Sequence, residues 1–244
     1  MYKQEQINPY GAKGEKSKLV EAMFNDIAPT YDELNHKMSF NIDKWWRHKA
    51  ISQLKKYSIA NLLDIATGTG DFAMQAAGEL PLKTITGIDI SQKMLDIAKK
   101  KTEVLTQSKQ FKFMKADCEH MPFNDNSYDA ITSAFGIRNF QNLDNCLVEM
   151  HRVLRPNGVL CILELSEPNR FPMKQLFYLY SHSILPLYGR IIAHNSDAYK
   201  YLTSTIEAFP QAETMQKVLL KAGFSKVSFR RLTFGICTLF LAIK

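Results

Sequence analysis

Three acids follow one another at intervals in this chain: Asp64 in LLDIATGTGD (62–71), Asp89 in GIDIS (87–91) and Asp117 in FMKADCEHMPF (113–123). Behind the first comes the turn Thr67-Gly68-Thr69-Gly70. Glycine permits backbone angles that a side chain forbids, and it lets a ligand approach the main chain closely. A helix beginning at Asp71 would present unpaired amides to a carboxylate or phosphate. Asp89, about 20 residues further on, could accept from both hydroxyls of a ribose. Asp117 could accept from an adenine amino group while the amide of Cys118 faces a ring nitrogen. Together these residues outline a site for an adenosine group, with Gly68, Thr69, Gly70, Asp89, Ile90, Asp117 and Cys118 as candidate contacts. For each acid, a structural role such as capping a helix is the competing reading.

The pattern excludes some ligands. No Lys-Ser or Lys-Thr follows the glycines, so this is not a phosphate-cradling P-loop. The third glycine of a dinucleotide fingerprint is Ala73, a tolerated variant, so this turn alone does not separate a dinucleotide from other adenosine ligands. Two features favour S-adenosyl-L-methionine over a nicotinamide dinucleotide. One is Asp64, placed to pair through the loop with an amino acid's ammonium. The other is the strand arrangement at the C-terminus. No residues have metal-ligand spacing, so no metal is expected.

These residues must be positioned by strands and helices. Short apolar runs at 61–66, 84–89, 111–117, 128–135 and 159–165 read as strands. Helical patterns at 71–80, 91–105 and 143–154 alternate with them, the second capped by Ser91 and the third ended by Pro156-Asn157-Gly158. That alternation implies a parallel sheet with helices on both faces. The last two strands, 226–232 and 236–243, are separated only by a tight turn and must pair antiparallel. The expected fold is therefore α/β, with a seven-stranded, mostly parallel sheet ending in an antiparallel hairpin. Before the sheet, helices are expected at 20–31 and 45–57, forming an N-terminal helical cap over residues 1–60, and the first 20 residues are expected to be loosely ordered. Residues 61–244 form the main domain, one unit with the cap. It includes an insert at 167–210, rich in aromatic and aliphatic side chains, that could line an apolar pocket, press on a membrane surface or simply pack.

A chain of 244 residues with 45% hydrophobic content can bury a sizeable core. The four cysteines lack CxxC spacing and read as buried reduced thiols. No export signal and no run long enough to span a bilayer is evident. A net charge of +7 suits nucleic acid, an anionic membrane or an acidic ligand without choosing among them. The basic residues form no stripe interleaved with aromatics, so nucleic acid is not the expected partner.

Several stretches together resemble the ubiquinone/menaquinone C-methyltransferase family of class I S-adenosylmethionine-dependent methyltransferases, whose fold is Rossmann-like. They are YDELNHKMSF (31–40) with Trp46, LLDIATGTGD, GIDIS, ADCEHMPFNDNSYDAITSAFGIRN (116–139), EMHRVLRPNG (149–158) and HNSDAYKYLTSTIEAFP (194–210). Asn41 and Asp43 stand where the family usually has Gly and His, and Asn157 replaces the first glycine of a usual Gly-Gly pair. Ala134 stands where the ubiquinone-type branch has Ser, which favours the menaquinone branch. The resemblance implies methyl transfer to a ring carbon of a membrane-dissolved prenylated quinol, demethylmenaquinol becoming menaquinol. The alternatives are a benzoquinol or another small apolar acceptor. It places cofactor contacts on Thr69, Asp89, Asp117 and Cys118.

Under that resemblance Arg138, in FGIRN, is expected to stabilise the ring's phenolate, and Asn139 to orient the hydroxyl. The proton's acceptor stays open between water and a carboxylate such as Asp197 or Glu164. Tyr31, Asp32, His194 and Asp197 are candidates for the substrate wall. The expected setting is cytoplasmic, with peripheral contact on the inner face of the membrane, and self-association is left open.

Overall fold

The computed structural model describes residues 1–184 and 196–244, without the side chains of Ser196 and Asp197. Strand β1 (Asn61–Ile65) is apolar on both sides because it lies inside the sheet. Side chains alternate along a strand, so Leu62 joins one hydrophobic cluster while Leu63 and Ile65 join the other. With β1 run β2 (Thr84–Asp89), β3 (Phe111–Lys115), β4 (Tyr128–Ala134) and β5 (Leu154–Leu165), all parallel. Strands β6 (Lys226–Leu232) and β7 (Cys237–Ile243) form the antiparallel hairpin, with β7 against β5. The order β3-β2-β1-β4-β5-β7-β6 is the expected seven-stranded, mostly parallel sheet. The chain reverses direction across the sheet at β1, and in such sheets the crevice beyond the strand ends at the reversal is where ligands bind.

Three helices precede the sheet: α1 (Lys16–Ile27), α2 (Tyr31–Met38) and α3 (Ile42–Leu54). Helix α4 (Asp71–Glu79) packs with α3 on one face through Phe72, Ala76, Ile51 and Leu54. Ser91 caps α5 (Gln92–Glu103), its hydroxyl accepting from the Met94 amide at 3.2 Å. Helix α6 (Leu143–Val153) covers the opposite face through Leu147 and Met150. The insert contributes α7 (Met173–Leu179) and α8 (Ser196–Ala208), and α9 (Ala212–Lys221) joins α6 through Met215 and Leu219.

Three expectations are corrected. The first 20 residues are docked on the body of the protein. The buried Glu5 carboxylate accepts from the Leu143 amide at 2.9 Å, capping α6, and the Tyr2 hydroxyl donates to Asp144 at 2.6 Å. A polar, lysine-rich composition concealed these long-range caps. The cysteines are not all reduced thiols. Cys118 and Cys146 form a disulfide, because the turn after β3 lies against α6 with the two Cα atoms 5.2 Å apart, while Cys161 and Cys237 are free and buried. Finally, β5 begins at Leu154, with Pro156-Asn157-Gly158 inside it; a register shift between Tyr128 and Ala130 and the left-handed Asn157 (φ 62°) absorb the irregularity.

Candidate active site

The turn after β1 is held in shape by the next strand. The Gly68 amide donates to Asp89 Oδ2 at 2.9 Å, and the Ser91 amide donates to Oδ1 at 2.8 Å. Asp89 therefore ties the glycine loop to the end of β2. Burial pushes its carboxyl above the ordinary range, partly offset by those amides. Gly68 takes φ +56°, and a Cβ built there meets no atom within 4 Å, so the bare backbone faces open space. Gly136 closes the opposite side: a Cβ on it would lie 2.5 Å from the Ala66 Cβ.

A cavity opens at this point. Gly68, Asp89, Ile90, Asp117 and Cys118 line it, as the sequence suggested, with Phe135 and Asn139 in the same wall. Asp117 is fixed by the Glu119 amide, which donates to it at 2.9 Å. Val20 and Phe24 of α1 also line the cavity. The sequence reading missed them because apolar residues at helical spacing look like ordinary core.

Asp64, Thr69 and Gly70 are not in this lining. Alternation puts Asp64 on the Leu62 side of β1, where it accepts from Thr67 Oγ1 and Thr132 Oγ1, each at 2.6 Å. Thr69 donates to Asp32 at 2.5 Å, and Lys101 bridges Asp32 at 2.8 Å and Asp71 at 2.6 Å. Asp32 therefore fastens α2 to the glycine loop and lines neither this cavity nor the two beside it. Nearby, Asn41 adopts φ 59°, a left-handed conformation suited to Gly or Asn. Asp43 pairs with Arg47 at 2.5 Å and with His36 at 2.9 Å, so the unusual residue here is part of a charged cluster.

Burial pushes the Asp64 carboxyl up to about 6, against the pull of the two threonine hydroxyls. An unfolded aspartate titrates near 3.9. The folded protein thus holds this proton more tightly. The resulting stabilisation is complete below about pH 4 and is lost as pH rises through about 6, on the order of 3 kcal/mol in all. Urea unfolding of wild type and Asp64→Asn from pH 4 to 7.5 checks this. The wild type should lose stability relative to the variant across that window, and a flat difference contradicts it.

Two further cavities adjoin the first. One, of about 240 Å³, is lined by Phe24, Tyr31, Asn35, Arg138, Asn139 and Tyr201 among others. The second, of about 350 Å³, is mainly apolar, with Tyr31, Phe40, Trp46, Phe135, Arg138 and Leu176 in its wall. Tyr31 lines all three cavities and so stands at their junction. Burial pushes its hydroxyl up to about 12, although Arg138 and Arg47 pull the other way.

Arg138 and Asn139 occupy a short turn beyond β4, both buried. Arg138 Nη1 donates to Glu164 Oε1 at 2.7 Å and to the Phe135 carbonyl. Glu164, at the end of β5, also accepts from the Arg138 amide at 3.2 Å and the Leu165 amide at 2.9 Å. Its oxygens are thus committed to holding Arg138 in place. His194 lies outside the described residues, as does the side chain of Asp197 on α8.

A protein of Bacteroides fragilis named demethylmenaquinone methyltransferase is 51% identical over 243 residues, covering 100% of this chain and 99% of its own length. One of the same name from Porphyromonas gingivalis is 41% identical over 245 residues, covering 100% of both chains. A crystal structure of a SAM-dependent methyltransferase from Thermotoga maritima matches with a TM-score of 0.60 over 89% of this chain and 98% of its own, at 17% identity, a likeness of fold. The model of the ubiE/COQ5 methyltransferase family matches residues 12–244. With the match running through cap, sheet and insert alike, this chain belongs to the ubiE/COQ5 methyltransferase family.

Proposed function

We propose that this methyltransferase transfers the methyl group of S-adenosylmethionine to a ring carbon of demethylmenaquinol, giving menaquinol. The observation that carries the reading is the meeting of the cavities at Tyr31: the cavity lined by Gly68, Asp89, Asp117 and Cys118 shares Tyr31 with a large apolar one that has Arg138 in its wall. The names of the 51% and 41% identical relatives support the choice of substrate.

The residues present fit the cofactor. Asp89 would hold the ribose hydroxyls, Asp117 and the Cys118 amide the adenine, and the bare backbone at Gly68 gives close approach. S-adenosylmethionine, when bound, supplies an electrophilic methyl group. The protein must then bring the ring carbon into line and make the ring electron-rich. Positioning supplies much of the rate in such reactions. A phenol titrates near pH 10, so forming its phenolate at neutral pH costs about 4 kcal/mol. A fixed cation lowers that pKa by about 1–3 units. Arg138 is that cation. It stays protonated and is a poor base, and Glu164 fixes its orientation through Nη1 while Nε has no partner among the described residues. Glu164, fully engaged, serves as its holder rather than as the proton's destination. Incubating the protein with labelled S-adenosylmethionine and a panel of quinols and sterols tests the reading. Label should enter demethylmenaquinol preferentially, and label in none of the quinols would end the proposal.

The same reading places the enzyme at a membrane surface. No described helix is long and apolar enough to cross a bilayer. The apolar cavity instead has an exposed greasy rim. Phe40 and Leu176 line it yet are 79% and 54% exposed, and Phe234, between the lining residues Thr233 and Ile236, is 77% exposed. Phe171, at 82%, precedes the lining residue Met173 by two positions. A prenyl tail leaving the cavity would pass these side chains into lipid. Burying a phenylalanine is worth about 2 kcal/mol. The Phe40→Ser/Phe234→Ser double variant should therefore lose on the order of 100-fold or more in partitioning to anionic vesicles in flotation. Flotation equal to wild type contradicts this placement.

A further inference from the structure

Residues in the wall of the smaller of the two cavities that Arg138 lines carry a concentration of unmet polar atoms just behind its surface. Tyr201 Oη, Asn139 Oδ1 and Arg138 Nε are each buried and have no hydrogen-bond partner among the described residues. All three residues line this one cavity, and they are only 5%, 6% and 7% exposed. Buried polar atoms are nearly always paired, and one left unpaired costs about 1–3 kcal/mol. For Asn139 and Arg138 the other side-chain atoms have reasons to be here. For Tyr201 only the hydroxyl separates it from phenylalanine, which would pack equally well against Val20 and Met23 without that cost.

We propose that the Tyr201 hydroxyl hydrogen-bonds one ring oxygen of the quinol and so positions the ring between Arg138 and the methyl donor. This rests on the functional reading above. The donor–acceptor set suits the ligand. Asn139 Oδ1 only accepts, Arg138 Nε only donates, and Tyr201 Oη does either. A hydroquinone carries hydroxyls that both donate and accept, and its deprotonated form needs donors. These atoms have almost no surface open even to a water molecule, so the ring reaches them by shifting the side chains in front, and a hydrogen bond then made there is shielded from solvent competition. The division of labour between the cavities follows. The polar one takes the ring oxygens. The apolar one takes the tail, and the two share Tyr31, Asn35, Met38, Arg138 and Leu202. Arg138 already acts on Tyr201 electrostatically, opposing the upward push that burial gives its hydroxyl.

Tyr201→Phe is the test, because a structural and a functional hydroxyl respond oppositely. If the hydroxyl serves the substrate, the variant melts at the wild-type temperature or higher and binds S-adenosylhomocysteine as wild type does. Its kcat/KM for demethylmenaquinol falls about tenfold. A lowered melting temperature, or an unchanged kcat/KM, overturns the inference. Binding of 1-naphthol, followed by calorimetry, separates this inference from the functional reading. The variant should bind it about tenfold more weakly; equal binding by both proteins, or no binding by wild type, overturns the role of Tyr201. Failure of wild type to methylate any quinol while the naphthol difference persists overturns only the choice of reaction.

Discussion

Arg138→Gln should lower kcat for quinol methylation by about 10²–10³-fold while leaving cofactor affinity nearly unchanged. The figure is that for losing one preorganised donor to a developing oxyanion, about 2.7–4 kcal/mol. The split between kcat and cofactor binding follows from placement, since Arg138 lines the two cavities beyond Tyr31 and not the one lined by Gly68, Asp89 and Asp117. Stability must be measured alongside. Arg138 is paired at 2.7 Å with Glu164, which is 1% exposed, and breaking such a pair leaves a buried charge, at about 3–5 kcal/mol. The double variant Arg138→Gln/Glu164→Gln removes that complication. It should recover most of the lost stability and none of the lost turnover. Full activity in either variant would show that the guanidinium is only a structural partner for Glu164.

Asp89→Ala should raise the dissociation constant for S-adenosylmethionine by on the order of 100-fold or more. Two hydrogen bonds from ribose hydroxyls to a charged acceptor, at about 1.5–3 kcal/mol each, set that scale. Asp89 also holds the Gly68 and Ser91 amides, so part of the loss comes through a loosened glycine loop. Asp89→Asn, which keeps an acceptor but no charge, should fall between wild type and the alanine variant. Calorimetric titration reads both. Affinity for Asp89→Ala within a few-fold of wild type would remove Asp89 from the cofactor site.

The sheet and the cofactor side were legible because local signals specify them. Alternating apolar strands and helices fix a parallel sheet, the short link at 233–235 forces an antiparallel hairpin, and acids beyond strand ends fall at the ligand edge. Gly68, Asp89, Ile90, Asp117 and Cys118 accordingly line one cavity. What escaped depends on contacts remote in sequence. Asp32 looked like a substrate residue, yet it reaches Thr69 and Lys101, 37 and 69 positions away. Asp64 looked like a contact through the loop, and only the fold shows it bonded to Thr132, 68 positions away, outside the cavity lining. Glu5 and Tyr2 sit in a polar tail whose docking depends on an α6 terminus more than 130 residues distant. Cys118 and Cys146, 28 residues apart, give no pairing motif. Tyr201, on an amphipathic helix, looks like core in the sequence, and only the fold shows that its hydroxyl has no partner among the described residues.

The proposed reaction depends most on the three cavities meeting at Tyr31. A crystal structure with S-adenosylhomocysteine tests that directly. The ribose hydroxyls should lie on Asp89, the adenine beside Asp117 and Cys118, and the sulfur should face Tyr31 and the Arg138 cavity. Ligand bound elsewhere, or with its sulfur turned away from that junction, would contradict it.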